Sequence, residues 1–145
     1  MQGFSSIPKM TTTMKTVIAH IECNKEGFYS VYVPEDLPFG LLGEGNTAEE
    51  AKQDFLAVYE AMREAHRMRT GDDIELQFDF VMDASAFLQQ YKGIFTLAGL
   101  SRLTGINKAQ LSQYVCGTRR PSPRTQAKIK ESIQELANEL SRVFI

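Results

Sequence analysis

Residues 16–33 read TVIAHIECNKEGFYSVYV, and this stretch decides the fold of the first half of the chain. Side chains alternate along residues 16–23 so that one face is apolar, which predicts a strand with a single buried face. A turn that contains Gly27 follows, and residues 28–33 are aromatic and β-branched enough for a second strand. The stretch therefore predicts a β-hairpin. Its first strand would direct four side chains into the core: Val17, Ala19, Ile21 and Cys23.

The residues after the hairpin predict a third strand, a helix and a fourth strand. Residues 41–43 form a short strand after an irregular segment that contains Pro and Gly. Thr47 and Glu50 match a capping box, whose hydroxyl and carboxylate accept hydrogen bonds from amides of the first helical turn. The helix ends near Gly71, and residues 74–82 alternate again. The order β-β-β-α-β predicts a small sheet covered by one helix. The apolar stripe of that helix is Ala51, Phe55, Val58, Met62 and Ala65.

The second half of the chain predicts only helices. Residues 97–104 and 108–116 each form a short helix, and Gly105 between them can adopt the positive φ that a tight turn requires. Thr96 and Asn107 are the expected N-caps of these two helices. Two short helices joined by a glycine turn, with a polar outer face on the second, are the helix-turn-helix pattern.

The last helix is expected to begin after Ser122 and to run to Ile145. Its apolar residues recur at spacings of 4, 3, 4 and 3, and this stripe could simply close the core of the helix-turn-helix. Because the helix is longer than that core needs, we expect its distal part to pair with a second chain. Such a dimer places two recognition helices about one DNA turn apart. The expected dimerisation residues are Leu136, Leu140, Val143 and Phe144.

Length and composition exclude several classes of protein. The chain has 145 residues, 43% of them hydrophobic and 23% charged, which is ordinary for a globular protein and excludes a disordered or collagen-like chain. Two distant cysteines exclude a disulfide scaffold and a structural zinc site. Residues 1–13 lack the apolar block of a signal peptide and are expected to be a flexible tail, with Met10 and Met14 as possible alternative starts. The expected compartment is the cytoplasm.

Charge is distributed unevenly along the chain. Residues 1–91 hold 7 Lys and Arg against 15 Asp and Glu, a formal charge of −8, whereas residues 92–145 hold 9 against 3, a charge of +6. This asymmetry favours two modules, the basic one for a polyanion and the acidic one for a cationic surface, although two solvated surfaces can also differ by chance. We expect an α+β domain at 14–82 and an all-α helix-turn-helix DNA-binding domain at 83–145, with almost no linker.

Two stretches of the first half follow one another as a strand, a turn and a helix start: residues 27–38, GFYSVYVPEDLP, and residues 43–51, GEGNTAEEA. In sequence and in order they resemble the N-terminal domain of HicB antitoxins. Phe39 and Glu35 depart from the family's turn. The resemblance implies a degraded ribonuclease-H-like fold that binds without cutting, and that covers HicA, a small basic toxin that cleaves mRNA. The charge of −8 agrees with such a partner, because opposite potentials steer association.

Residues 97–122 of the second half read LAGLSRLTGINKAQLSQYVCGTRRPS, and this stretch resembles the phage-repressor, or Xre-type, helix-turn-helix family. Leu97 stands where that family often has Gln, so one backbone contact is expected to be missing. The side chains that face outward from the second helix are expected to read base edges. Those at helix ends and in the following loop are expected to hold phosphates. The base-reading candidates are Lys108, Ala109, Ser112 and Gln113. The phosphate-binding candidates are Thr96, Asn107, Thr118, Arg119 and Arg120.

An enzyme is the weaker interpretation. A ribonuclease-H site needs several carboxylates around two magnesium ions, and Glu22 on the first strand is the single candidate. His20 and His66 have no neighbouring ligand in the sequence pattern, and Cys116 is expected to be buried at a helix end. We therefore expect no catalytic residue, no metal and no cofactor.

Together with the two resemblances, the sequence predicts an antitoxin that sequesters a HicA-like toxin ribonuclease and represses its own operon by binding operator DNA. It would act as a homodimer or a dimer of dimers. One alternative is a stand-alone transcriptional regulator whose sheet senses a signal or oligomerises. Another is an active metal-dependent ribonuclease.

Overall fold

The computed structural model describes residues 14–144. The tail predicted for residues 1–13 and the predicted helix end at Ile145 lie outside these residues. The elements, in chain order, are β1 (Lys15–Cys23), β2 (Tyr29–Tyr32), β3 (Leu42–Gly45), α1 (Ala48–Thr70), β4 (Leu76–Met82), α2 (Ala84–Tyr91), α3 (Leu97–Thr104), α4 (Lys108–Val115) and α5 (Pro123–Leu140).

The four strands form one sheet in the order β3-β2-β1-β4. The predicted hairpin is confirmed: β1 and β2 are antiparallel, with His20 opposite Tyr32, and the Asn24 side chain accepts hydrogen bonds from two amides of the turn. Gly27 in this turn has a φ of 83°. β4 runs parallel to β1 because α1 carries the chain back to the starting end of the sheet.

Helix α1 covers one face of the sheet. The Thr47 hydroxyl accepts from the Glu50 amide at 3.0 Å, as predicted, whereas the Glu50 carboxylate accepts from Asn46, one residue earlier than in a standard capping box. The apolar stripe also departs from the prediction, since Ala65 is exposed and Tyr59 is buried. The Tyr59 hydroxyl donates to the Ile74 carbonyl and accepts from the Leu76 amide, both at 2.8 Å, and so fixes the start of β4.

The prediction of a separate all-α domain at 83–145 is wrong. Residues 14–144 form a single α+β domain of one four-stranded sheet and five helices, because the helices pack onto the sheet without a linker. The Asp83 amide donates to the Ile21 carbonyl at 2.9 Å, and the Ser85 hydroxyl accepts from the Cys23 amide at 3.3 Å. These bonds join the first turn of α2 directly to β1.

The loop after α4 makes a second junction with the sheet. A Cβ added to Gly117 would lie 2.5 Å from the Cα of Lys25 in the β1–β2 hairpin, so the two backbones are in direct contact. Helices α2 to α5 also share a hydrophobic cluster of their own within this single domain. Its buried members are Leu88, Leu100, Ile106, Leu111, Tyr114 and Ile129.

Helix α5 is shorter than predicted. It ends at Leu140, and Ser141 is its C-cap, so Val143 and Phe144 lie beyond the helix. Among the helices of residues 14–144, none combines the length and the apolar character needed to span a bilayer.

Candidate nucleic-acid interface

Helices α3 and α4 form a tight pair whose ends are fixed by local hydrogen bonds. The Thr96 hydroxyl accepts from the Gly99 amide at 2.9 Å and the Asn107 side chain accepts from the Gln110 amide at 2.8 Å, as N-caps do. Gly105 closes α3 in the left-handed conformation, with a φ of 77°. This geometry confirms the predicted caps and turn, and it leaves the first-turn amides of α4 at the surface.

Helix α4 has one buried side and one solvent side. Leu111 and Tyr114 are the buried residues, and they anchor the helix against the second hydrophobic cluster. On the solvent side, Lys108, Ala109 and Gln113 are exposed, while Ser112 is half-buried. Three of the four expected base-reading side chains therefore share a solvent-facing surface, and Ser112 lies at its margin.

The loop after α4 brings Thr118 and Arg119 close to the end of that helix. The amides of both residues donate to the Gln113 carbonyl, at 3.0 and 3.3 Å, and the Thr118 hydroxyl donates to the same carbonyl at 3.3 Å. The Thr118 hydroxyl is thus already used to close the helix. Arg119 is exposed and forms no ion pair with any other residue of 14–144.

Arg120 occupies a different position from the one expected of a free phosphate-binding residue. Its guanidinium donates to the Glu22 carboxylate at 2.8 Å and lies 4.0 Å from that of Asp83. The hydrogen bond to Glu22 raises the pKa of Arg120 above its ordinary value. Glu22, the single carboxylate considered for metal catalysis, is therefore engaged in holding the α4–α5 loop on the sheet. Sequence spacing could not reveal this pair, because its members are 98 residues apart.

Ion pairing differs between the acidic and basic halves of the chain. In residues 14–91, four of the six Lys and Arg side chains form ion pairs with carboxylates of the same half. Arg63, for example, donates two hydrogen bonds to Asp73, at 2.6 and 2.8 Å. In residues 92–144, Arg120 alone of nine Lys and Arg side chains forms an ion pair with a residue of 14–144. Most of the positive charge of the helical half therefore lies outside ion pairs with the described residues.

Two smaller expectations concern cysteine and metal. Cys116 is exposed and not buried as predicted, because it stands one residue past the last turn of α4 on the solvent side. No group of three or more His, Cys, Asp or Glu side chains in the described part of the chain is arranged to hold a metal ion.

Comparisons with protein-family models, with curated proteins and with solved structures found no match for this chain. The resemblances to HicB antitoxins and to Xre-type repressors therefore stay predictions.

Proposed function

We propose that this protein is a cytoplasmic DNA-binding regulator in which α4 enters the major groove. The observation that carries the proposal is the solvent side of α4, a polar surface that follows the Gly105 turn and is anchored from behind by buried apolar residues. An α-helix fits the major groove of B-DNA, where hydrogen-bond donors and acceptors differ for each base pair. The free positive charge of the helical half supplies attraction to any duplex.

Each exposed side chain of the interface has a role in this proposal. Lys108 and Gln113 hydrogen-bond base edges, and the methyl group of Ala109 contacts a thymine methyl. Ser112 assists from the margin. Arg119 contacts a DNA phosphate. The N-termini of α3 and α4, capped by Thr96 and Asn107, present amides to the phosphates of the DNA backbone. Thr118 and Arg120 contribute less than the sequence predicts, because both side chains are engaged within the protein.

The acidic half has a second role in the proposal, as the surface that sequesters a small basic ribonuclease toxin. Its cations are largely neutralised by neighbouring carboxylates, so the surplus of acidic groups remains exposed on α1 and the surrounding loops. Such a surface attracts a cationic protein by electrostatic steering. A chain with both roles is an antitoxin that represses its own operon. A chain with the first role alone is a stand-alone regulator. Neither role requires a cofactor or a catalytic step.

DNA binding is tested by selecting duplexes from a random-sequence pool and measuring affinity by fluorescence anisotropy at several salt concentrations. We expect one enriched motif. Gln113→Ala should relax preference at one base position, whereas Arg119→Ala should weaken binding to every sequence and reduce the salt slope by about one. Arg69→Ala removes an exposed cation from α1 and is the matched control, with no expected effect. Equal losses from both test variants on every sequence would refute the assigned roles.

Toxin binding is tested with the product of a small neighbouring gene that encodes a basic protein. We expect co-purification of the two proteins at low salt and their release as ionic strength rises, because exposed charges are screened. If the product of the neighbouring gene never co-purifies while DNA binding persists, the antitoxin role is refuted and the stand-alone regulator remains.

A further inference from the structure

A groove of about 580 Å³ separates helix α5 from the face of the sheet that α1 leaves open. The sheet side of the groove is formed by Ile18 and His20 of β1 and Val81 of β4, and the helix side by Ile129 and Ile133. Ile18 is 50% exposed, and the wall is mostly apolar. A space of this size holds roughly 20 water molecules, each of which would find few hydrogen-bond partners there.

The apolar stripe of α5 continues past the end of this groove. Ile129 is buried, and Ile133 and Leu136 are half-buried, but the apolar residues beyond them are exposed. Leu140 is 59% exposed, Val143 57% and Phe144 99%. One stripe therefore has a proximal part beside the groove and a distal part whose last three apolar side chains are exposed. Neighbouring exposed apolar side chains of this kind are typical of an interaction site.

The charges of α5 indicate which partner covers this stripe. Its first half, residues 123–130, contains only basic charged residues, and its second half, residues 131–140, contains only acidic ones. An antiparallel α5 from a second copy would place the acidic half of each helix beside the basic half of the other. The basic residues are Arg124, Lys128 and Lys130, and the acidic residues are Glu131, Glu135 and Glu139.

The dimensions of the two parts also agree. The groove follows α5 from Pro123 to Gln134, which is ~18 Å at 1.5 Å per residue. In the distal segment, residues 136–144, the helical part 136–140 spans ~8 Å, which is shorter than the groove. A two-fold axis near residue 132 keeps the acidic half of each helix beside the basic half of the other, and it places residues 136–140 of one copy beside residues 124–128, at the start of the groove of the other. Both copies then give and receive the same contact.

We propose that residues 136–144 of a second copy occupy the groove between the open sheet face and α5, so that the sheet forms half of the dimer interface. This inference extends the dimer expected from α5 alone, in which helix meets helix and the sheet has no part. It does not depend on DNA binding, because the groove and the solvent side of α4 are formed by different residues.

The test measures the mass of the full-length protein in solution, without DNA, by analytical ultracentrifugation at several concentrations. Wild type should form a dimer of twice 16.3 kDa. Ile18→Asp in the sheet wall and Leu140→Asp in the distal segment should each weaken the dimer at least tenfold. Leu42→Asp is the matched control: it lies on the same open sheet face, is 51% exposed, and does not line the groove. Far-UV circular dichroism checks that all variants are folded.

A mixing experiment tests the pairing itself. Ile18→Asp and Leu140→Lys should each be monomeric alone, yet a mixture should form heterodimers. In the heterodimer one groove is wild type in both partners, and the other joins an introduced Asp to an introduced Lys. Three results would overturn the proposal: a monomeric wild type, a dimer that survives Ile18→Asp, or equal losses from Leu42→Asp and Ile18→Asp. None of these results would alter the selection of duplexes by α4, so the two proposals fail separately.

Discussion

Gly117→Ala tests whether the helices and the sheet form one domain. Gly117 has a φ of 73°, and its added Cβ would lie 2.5 Å from the Cα of Lys25 and 3.1 Å from its amide nitrogen. Both atoms belong to the backbone of the hairpin, so no side chain can move aside. Gly71 at the end of α1 is the matched control, because its φ is 84° and nothing lies within 4 Å of its added Cβ.

The expected cost has two parts, and only one is shared by the two glycines. A left-handed backbone costs an L-residue roughly 1–2 kcal/mol at either position. Overpacking at a backbone contact adds roughly 1–3 kcal/mol, and this applies to Gly117 alone. Gly117→Ala should therefore lower the free energy of unfolding by about 2–5 kcal/mol, and Gly71→Ala by about 1–2 kcal/mol.

The assay is urea denaturation followed by far-UV circular dichroism and tyrosine fluorescence, since the chain has no tryptophan. Hydrogen exchange of the hairpin amides adds a local measurement, because Asn24 and Gly27 donate within the turn that Gly117 contacts. We expect faster exchange there in Gly117→Ala and no change in Gly71→Ala. Equal losses of stability from the two variants, with unchanged exchange in the hairpin, would show that the loop does not pack on the sheet.

Three further predictions follow from individual groups. Glu22→Gln should tighten DNA binding roughly two- to fivefold, because it releases Arg120 from an exposed ion pair; an unchanged or weaker affinity would contradict this. In the native protein, Cys116 should react rapidly with a thiol reagent and the buried Cys23 slowly, and two rapid thiols would disprove the packing of β1. Asp73→Asn should reduce stability at neutral pH, because the neighbouring guanidinium lowers the folded-state pKa of that carboxyl. This contribution is present above the unfolded pKa of about 3.9 and disappears as pH falls through the folded value, so wild type and variant should converge in acid urea titrations.

The sequence predicts best those helices and strands whose ends are set by neighbouring residues, such as helix caps and turn glycines. The limits of α3 coincide with the prediction because Thr96 and Gly105 fix its two ends within the element's own neighbourhood. β1 is predicted equally well, since strict alternation leaves one choice of buried face. The solvent side of α4 could be anticipated for the same reason: Leu111 and Tyr114 define the buried side, and the remaining positions face outward.

Local sequence patterns could not predict the features that depend on contacts between distant residues. The charge asymmetry favoured two modules, but the contact between Gly117 and Lys25 joins segments that no sequence period relates. The same holds for Arg120, whose loop position suggested phosphate binding until Glu22 was found beside it. The end of α5 was misplaced for another reason: neither Gly nor Pro follows Leu140, and Val143 continues the apolar spacing beyond the last helical residue.

The junction at Asp83 limits how the sheet segment and the helical segment could be exchanged by recombination. Its amide donates to Ile21, and its carboxylate caps α2 through Ala86 and accepts from the Ser85 hydroxyl, so the last strand becomes the next helix within one residue. A recombination event at this point would separate partners on both sides of the break. The two segments are therefore poor candidates for shuffling between genes, and a swapped helical segment would have to carry a matching β1 edge with it.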